Sequence, residues 1–273
     1  MIHSHIRPWV RAAAPVGLGA LFVMFPALVA AQTDYFNTDK GRPFWVEDAY
    51  PVERRAFEIQ AAPLRLERIV GGVYHWSIEP ELAYGILPRT QLEIGVPLAV
   101  IDGVGDRRSG VGGVELSALY NLNVETSLPA FGLAAGVLLP VGGFAPDNPL
   151  FSVQGIATRN FGWARFHVNG EYTFGEEPST SDPLQVDATR WSAGIAVDHT
   201  WPLRSLLFGG EVVLQEPLVT SDDPVLAVGT GARYQLSPRW AIDGGVGKRF
   251  TGDDRAWYVT FGSAYVLGLP WHP

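Results

Sequence analysis

The stretch VYHWSIEPELAYGI, Val73–Ile86, decides the fold. Tyr74, Trp76, Ile78, Leu82, Tyr84 and Ile86 fall on one face of an extended chain. His75, Ser77, Glu79, Glu81 and Gly85 fall on the other. A helix scatters these two sets around its circumference, whereas a strand, with its period of two, separates them. The stretch is also long for a strand. Strands in soluble sheets run about 5–6 residues, and those that cross a bilayer at a tilt need about 9–11.

Outward from this stretch the alternation recurs in Ala56–Leu66, Gln91–Ile101, Val114–Leu122, Ala130–Val141, Phe151–Asn160 and Trp163–Phe174. It continues in Arg190–Trp201, Ser205–Gln215, Val225–Leu236, Trp240–Phe250 and Ala256–Leu267, which makes twelve segments in all. The pattern predicts an all-β chain, a transmembrane antiparallel up-and-down β-barrel of about 12 strands. An even strand number is what single-chain bacterial barrels use.

The links support the same architecture. Leu87–Thr90, Asn123–Pro129, Phe161–Gly162, Pro202–Arg204 and Ser237–Arg239 form a shorter set. Asp102–Gly110, Gly142–Leu150, Gly175–Asp187 and Glu216–Asp223 form a longer one, with brief exceptions near Arg68–Gly71 and Thr251–Arg255. Periplasmic turns of such barrels are short and outer loops long. Aromatic residues gather at both strand ends. Tyr84, Tyr120, Trp163, Trp201 and Trp240 sit near the short turns, and Tyr74, Trp76, Tyr172, Trp191 and Trp257 near the long loops. Two such belts are expected at the two membrane interfaces.

Composition narrows the function classes. The 273 residues contain no Cys, which excludes a disulfide scaffold and a Cys-based zinc site. Charged residues make up only 18% and aromatics 12%, unlike a disordered tail. A net charge of −8 argues against nucleic acid as a partner. At the N-terminus, Arg7 and Arg11 precede an apolar run, Val16–Ala30, and small residues at Val29–Ala31. Residues 1–31 read as a cleavable signal peptide. The run is shorter than the ~20 residues of a spanning helix, and Pro26 interrupts it. Residues 32–54 then read as an irregular periplasmic lead-in, and 55–273 as an outer-membrane β-barrel.

Three runs carry a resemblance: LPRTQLEIGVPL (Leu87–Leu98), GGVELSALYNLN (Gly112–Asn123) and GVLLPVG (Gly136–Gly142). They resemble the outer-membrane transporter-like barrels grouped with the meta-pathway phenol-degradation proteins. The similarity is strongest over Arg54–Gly143 and looser through Leu267. It implies a barrel in the bacterial outer membrane that passes small molecules, aromatic or hydrophobic ones among them. It supplies no catalytic residues. TFGSAYVL, Thr260–Leu267, also resembles the last-strand signal read by the barrel-assembly machinery, although this chain continues to Pro273.

Catalysis finds little support in the residues. His167 has no Ser nearby in sequence, and although Ser192 on the next strand shares its facing, no local motif joins them. His75 and His167 read as polar lumen residues, and no His/Asp/Glu set has metal-ligand spacing. The reading is therefore no enzyme, no cofactor and no metal.

The charges on the polar face are the informative set, because Arg or Lys on the lipid face costs about 2–4 kcal/mol at the midplane. Glu58, Glu79, Glu81, Glu93, Glu115, Glu171, Asp198, Glu211 and Asp243 face the lumen with Arg165, Arg190, Arg233 and Arg249. Hairpin registers pair Arg165 with Asp198, Glu171 with Arg190, and Arg233 with Asp243 as structural braces. Glu58, Glu81 and Glu93 come to similar height on three adjacent strands, without a basic residue of the same facing on those strands. They read either as an acidic patch that biases permeation or as partners of an Arg across the lumen.

The long loops are acidic at Glu176, Glu177, Asp182 and Asp187, and at Glu216, Asp222 and Asp223. Expected partners are membrane lipid, lipopolysaccharide, the assembly machinery and small-molecule solutes. The expected function is a passive channel. The alternatives are a structural or interaction barrel with a closed, salt-bridged lumen and, behind it, a barrel enzyme.

Overall fold

Fourteen strands form one antiparallel sheet that closes on itself in a computed structural model covering residues 37–68, 73–103, 107–176, 189–218, 223–251 and 255–268. The strands are β1 (Ala56–Arg68), β2 (Tyr74–Leu87), β3 (Thr90–Gly95), β4 (Leu98–Asp102), β5 (Arg107–Val111), β6 (Val114–Asn121) and β7 (Ala130–Leu139). They continue with β8 (Leu150–Asn160), β9 (Arg165–Phe174), β10 (Thr189–Thr200), β11 (Leu206–Pro217), β12 (Val225–Ser237), β13 (Trp240–Arg249) and β14 (Trp257–Gly268). Pairing of β1 with both β2 and β14 closes the ring. The expected signal peptide lies outside the described residues.

The fourteen strands make twelve crossings, as the alternation predicts. β3 and β4 are one crossing, since both pair with β2 in a single register on either side of Val96–Pro97. Proline has no N–H to give the ladder. β5 and β6 are likewise one crossing, broken at Gly112–Gly113, where the register across to β3 and β4 shifts by one residue. Gly113 has φ +139°, which suits glycine and ends the alternation there. That bulge hides β5 from a period-two reading. The expected outer loop Asp102–Gly110 is accordingly mostly strand, and the link shortens to 103–106.

Most large apolar side chains of the strands point outward, while a few, Leu119, Ile156 and Val213 among them, are buried inside. Ile195, Val212, Val246 and Phe261 are about half exposed at mid-strand, an inside-out pattern for a soluble sheet and the expected one for a lipid-facing wall. Trp163 (67%) and Trp201 (69%) flank the short turns, and Trp257 (63%) stands at the opposite end. Lys248, on the outward face near a strand end, reaches over the rings of Phe250 and Trp257 at 5.2 and 5.1 Å. Its charge is carried to the aromatic band and away from the apolar zone. The barrel strands begin at Ala56 and end at Gly268, which pair with each other at the short-turn end.

The core lies inside the barrel and is built on the segment before β1. The lead-in is irregular, but it does not hang below the barrel. Residues 37–55 run through the lumen. Val46 packs on Ala196 and Val213, Ala49 on Leu119, Ala130 and Ile156, and Val52 against Ala56 and Val266. The reason is steric as well as apolar. Six glycines face inward where the segment passes, at positions 85, 132, 194, 209, 231 and 245. A Cβ at Gly194 would lie 2.5 Å from Val46, and one at Gly209 2.7 Å from Phe44. Pro43 stands as close to Gly231 and Gly245. At Gly85 a side chain would run into the carbonyl oxygen of Glu53.

Candidate functional site

The lumen is the candidate site, and the segment 37–55 divides it. Its backbone is held by wall side chains. The N–H groups of Trp45 and Val46 both donate to Glu211 Oε2, at 2.8 and 3.0 Å. Glu47 and Asn169 exchange two hydrogen bonds: Glu47 N–H to Asn169 Oδ1, 2.7 Å, and Asn169 Nδ2 to Glu47 O, 2.9 Å. Ala49 N–H donates to Thr158 Oγ1 and its carbonyl accepts from Asn121 Nδ2. Val52 N–H donates to Gln91 Oε1 at 2.6 Å. An irregular backbone inside a barrel has no ladder of its own, so these wall groups satisfy it.

The short-turn half is filled and closely paired. Arg165 makes a two-pronged contact with Asp198, Nε to Oδ1 and Nη2 to Oδ2, both 2.9 Å. This is the expected pair. His167 joins it: Nε2 lies 3.0 Å from Asp198 Oδ2, and Nδ1 3.0 Å from Thr158 Oγ1. The Asp198 carboxylate can only accept, so His167 Nε2 carries a proton and donates to it, while Thr158 Oγ1, which accepts the Ala49 N–H, meets Nδ1. Arg165 also stands 3.8 Å from Asp48 of the lead-in.

Arg233 and Asp243 face each other across β12 and β13, 3.6 Å apart, again as expected. Arg233 further donates to the carbonyl oxygens of Asn37 and Arg42 and to Asp39. Arg42, fully buried, sits among Asp39, Asp243 at 3.6 Å and Glu58 at 3.6 Å.

Above the segment, toward the long loops, the lumen opens into a cavity of about 260 Å³. Its floor is Asp39–Gly41, Trp45 and Glu47, and its wall carries Glu79, Glu81, Glu93, Glu115 and Glu171. The 140–149 link folds over one side. Phe144 is buried against Ile101 and occupies the space that a side chain at Gly110 would need.

The expected acidic patch is brought together, with two amendments. Glu58 and Glu93 both lie opposite Ala83, and Glu81 is two residues along the same strand. The first amendment is Arg42, delivered by the lead-in, which answers Glu58. The second is Arg65. A bulge in β1 between Gln60 and Leu64 shifts the register by one, so residues beyond it change face. Arg65 and Glu67 therefore point inward, where they pair with each other. Glu67 also pairs with Arg249 at 3.0 Å, and Arg65 lies over the Tyr258 ring. The strands that carry the patch thus do contain a basic residue of the same facing. Glu93 accepts from Ser117 Oγ at 2.8 Å and from Gln91.

The expected Glu171–Arg190 pair does not form. Both oxygens of Glu171 take Lys40 Nζ at 2.9 Å, while Arg190 Nη1 donates to the carbonyls of Thr173 and Gly175. A lysine inside the lumen reaches Glu171 first, and the rim carbonyls take the arginine. Burial works against the Lys40 ammonium, but the carboxylates of Glu171 and Glu115 hold its pKa above the ordinary lysine range. Glu47, also on the lead-in, is pushed well above the usual carboxylate range by burial and by the charge of Glu93. Lys40, Arg42, Asp39, Arg65 and Glu67 were not legible as lumen residues. The first three belong to a segment placed outside the barrel, and the last two lie past a bulge that reverses the phase.

The fold recurs in known proteins. Over 81% of this chain and 98% of the other, it superposes on an outer-membrane channel from Pseudomonas putida F1 with a TM-score of 0.56 and 12% identity. Over 76% and 98% it superposes on the KdgM porin with a TM-score of 0.50 and 14% identity. None of the curated proteins matches the chain in sequence. Residues 81–265, well over half of the chain, match the family described as Putative MetA-pathway of phenol degradation, and the chain belongs to that family.

Proposed function

We propose that this protein is an outer-membrane channel for the passive passage of small molecules. The short turns face the periplasm and the long loops the outside. The observation that carries the reading is a cavity lined by charged side chains inside a barrel whose outer wall is apolar. Such a wall suits lipid, with the aromatic ends at the headgroups and the long-loop rim beside lipopolysaccharide. Insertion by the barrel-assembly machinery fits the pattern of β14.

The family description points to phenols and related aromatics as solutes. The lining favours neutral or cationic members of that class, because carboxylates at Glu79, Glu81, Glu93 and Glu115 repel aromatic acids. We read the chain as no enzyme. Thr158, His167 and Asp198 are linked like a hydrolytic triad, but the Thr158 oxygen is occupied by the Ala49 N–H and His167 is fully buried. That chain braces the wall against the lead-in.

A closed structural barrel is the second reading, favoured by the filled short-turn half. Liposome swelling separates the two. Proteoliposomes given phenol, neutral sugars, amino acids and benzoate should swell with small neutral solutes and least with benzoate. No swelling with any solute, from correctly folded protein, would favour the closed barrel.

A further inference from the structure

We propose that residues 37–55 are a tethered, retractable gate, which closes the short-turn half of the lumen at rest and withdraws when solute passes. The proposal rests on the channel reading above.

The seating is specific. Six inward glycines cut a track for the segment, and at five of them even one added carbon would come within 3 Å of it. Wall side chains of β3, β6, β8, β9 and β11 hold its backbone in register, as described. Seated on the track, the segment fills this part of the lumen with Arg42, Phe44, Val46 and Ala49, all almost fully buried.

The attachment is also reversible in kind. The segment shares no ladder of hydrogen bonds with the sheet. Its one bridge, Arg54 to Gly85, is at the very end where it joins β1. The side-chain acceptors and backbone donors between segment and wall can each take water instead, while the closed sheet keeps all of its own pairing. The ionic clasps are of a similar nature. Lys40 is about one-third exposed to the cavity, and its pair with Glu171 is the uppermost contact. Pairs of this kind contribute little net free energy, because desolvation offsets attraction.

The pivot lies at the short-turn end. Arg55 has φ +66°, an uncommon conformation for a residue with a side chain, and its N–H is tied to Gly85 O at 2.6 Å. The chain beyond it is β1. A withdrawn segment therefore stays anchored at the periplasmic mouth and can return to the same track.

The absence of cysteine allows a direct test on the full-length protein. A Cβ at Gly132 would lie 3.4 Å from the Ala49 Cβ, close to the ~3.5–4.5 Å separation of disulfide-linked residues. The double variant A49C/G132C is recorded in planar bilayers, oxidised and then reduced, with cross-linking followed by mass spectrometry. The expected result is a closed barrel when oxidised and channel openings restored by dithiothreitol.

Equal conductance in both states, with the cross-link formed, would overturn the gate and leave the channel standing. Silence in both states and in the unsubstituted protein would overturn the channel reading, and the gate with it. Lys40→Ala is the second variant, should the double one not fold. Loss of the uppermost clasp should raise open probability by about fivefold, the population shift expected from one partly exposed ion pair. An unchanged open probability would count against the gate.

Discussion

The two halves of the lumen handle charge in opposite ways. At the short-turn end Arg165, His167, Asp198, Arg233 and Asp243 are buried or nearly so, and each meets an opposite charge or a hydrogen-bond partner. On the cavity side Glu79, Glu81, Glu93 and Glu115 line open space. The division follows from solvent. A buried ion without a partner is costly, so the filled half is made of pairs. Carboxylates beside open space keep access to water, so the cavity side can gather like charges, with Glu93 also held by Ser117 and Gln91. The difference marks one half as the part that shuts and holds, and the other as the part that meets solute.

The sharpest way to break this comparison is to remove a charge from the filled half. Asp198→Ala leaves Arg165 and His167 facing each other without the carboxylate. The expected loss is about 3–5 kcal/mol, the usual cost of breaking a buried pair. Urea unfolding of the barrel reconstituted in lipid vesicles measures it. Glu81→Gln in the open half should change the midpoint little. Similar small losses for both would mean that the filled half is as wet as the cavity.

A smaller effect separates the lead-in from the wall. Gly85→Val places a side chain against the Glu53 carbonyl, while β2 keeps its pairing on both sides. Overpacking of this kind costs about 1–3 kcal/mol, and here the segment can yield where the sheet cannot. Trypsin should then cut after Arg54 or Arg55 in the variant, with the native protein resistant. Gly155 and Gly170 have open space around them, so Gly155→Ala and Gly170→Ala are controls that should leave digestion unchanged. Equal resistance in Gly85→Val would show that the end of the segment has room to spare.

The two halves were also unequally legible. Wall crossings and inward charges follow from a period of two, which depends only on local geometry, so Arg165–Asp198 and Arg233–Asp243 could be paired from hairpin registers. The period fails wherever a bulge adds a residue. Arg65 and Glu67 sit beyond such a bulge, and β5 hides behind Gly112–Gly113. The lead-in was missed for another reason. Its turn-forming composition says only that it is irregular, and an irregular segment needs tertiary partners to fix its place. One signal was present. Glycine recurs at inward positions of β2, β7, β10, β11, β12 and β13, where a water-filled lumen has no need of it. An inward run of glycines calls for something to lie against it.

The smallest expected effect concerns the acidic patch itself. Glu58, Glu81 and Glu93 are neighbours by register, but they are not equivalent. Glu58 is 8% exposed and has Arg42 at 3.6 Å. Its field is largely answered within the filled half. Glu81 and Glu93 line the open cavity with Glu79 and Glu115, and the wall there confines their field to the path of a passing ion. The double variant Glu81→Gln/Glu93→Gln should therefore lower cation-over-anion preference in planar-bilayer recordings. The shift should be clearest in dilute salt, where the Debye length is about 30 Å at 0.01 M, and fade near 1 M, where it is about 3 Å. Once the lead-in withdraws it takes Arg42 with it, so Glu58→Gln should also move the reversal potential of the conducting barrel. An unmoved reversal potential in Glu58→Gln alone would mean that Arg42 still answers Glu58 there and that the lead-in has not withdrawn. If none of the three moved it, the cavity carboxylates would have no part in selectivity.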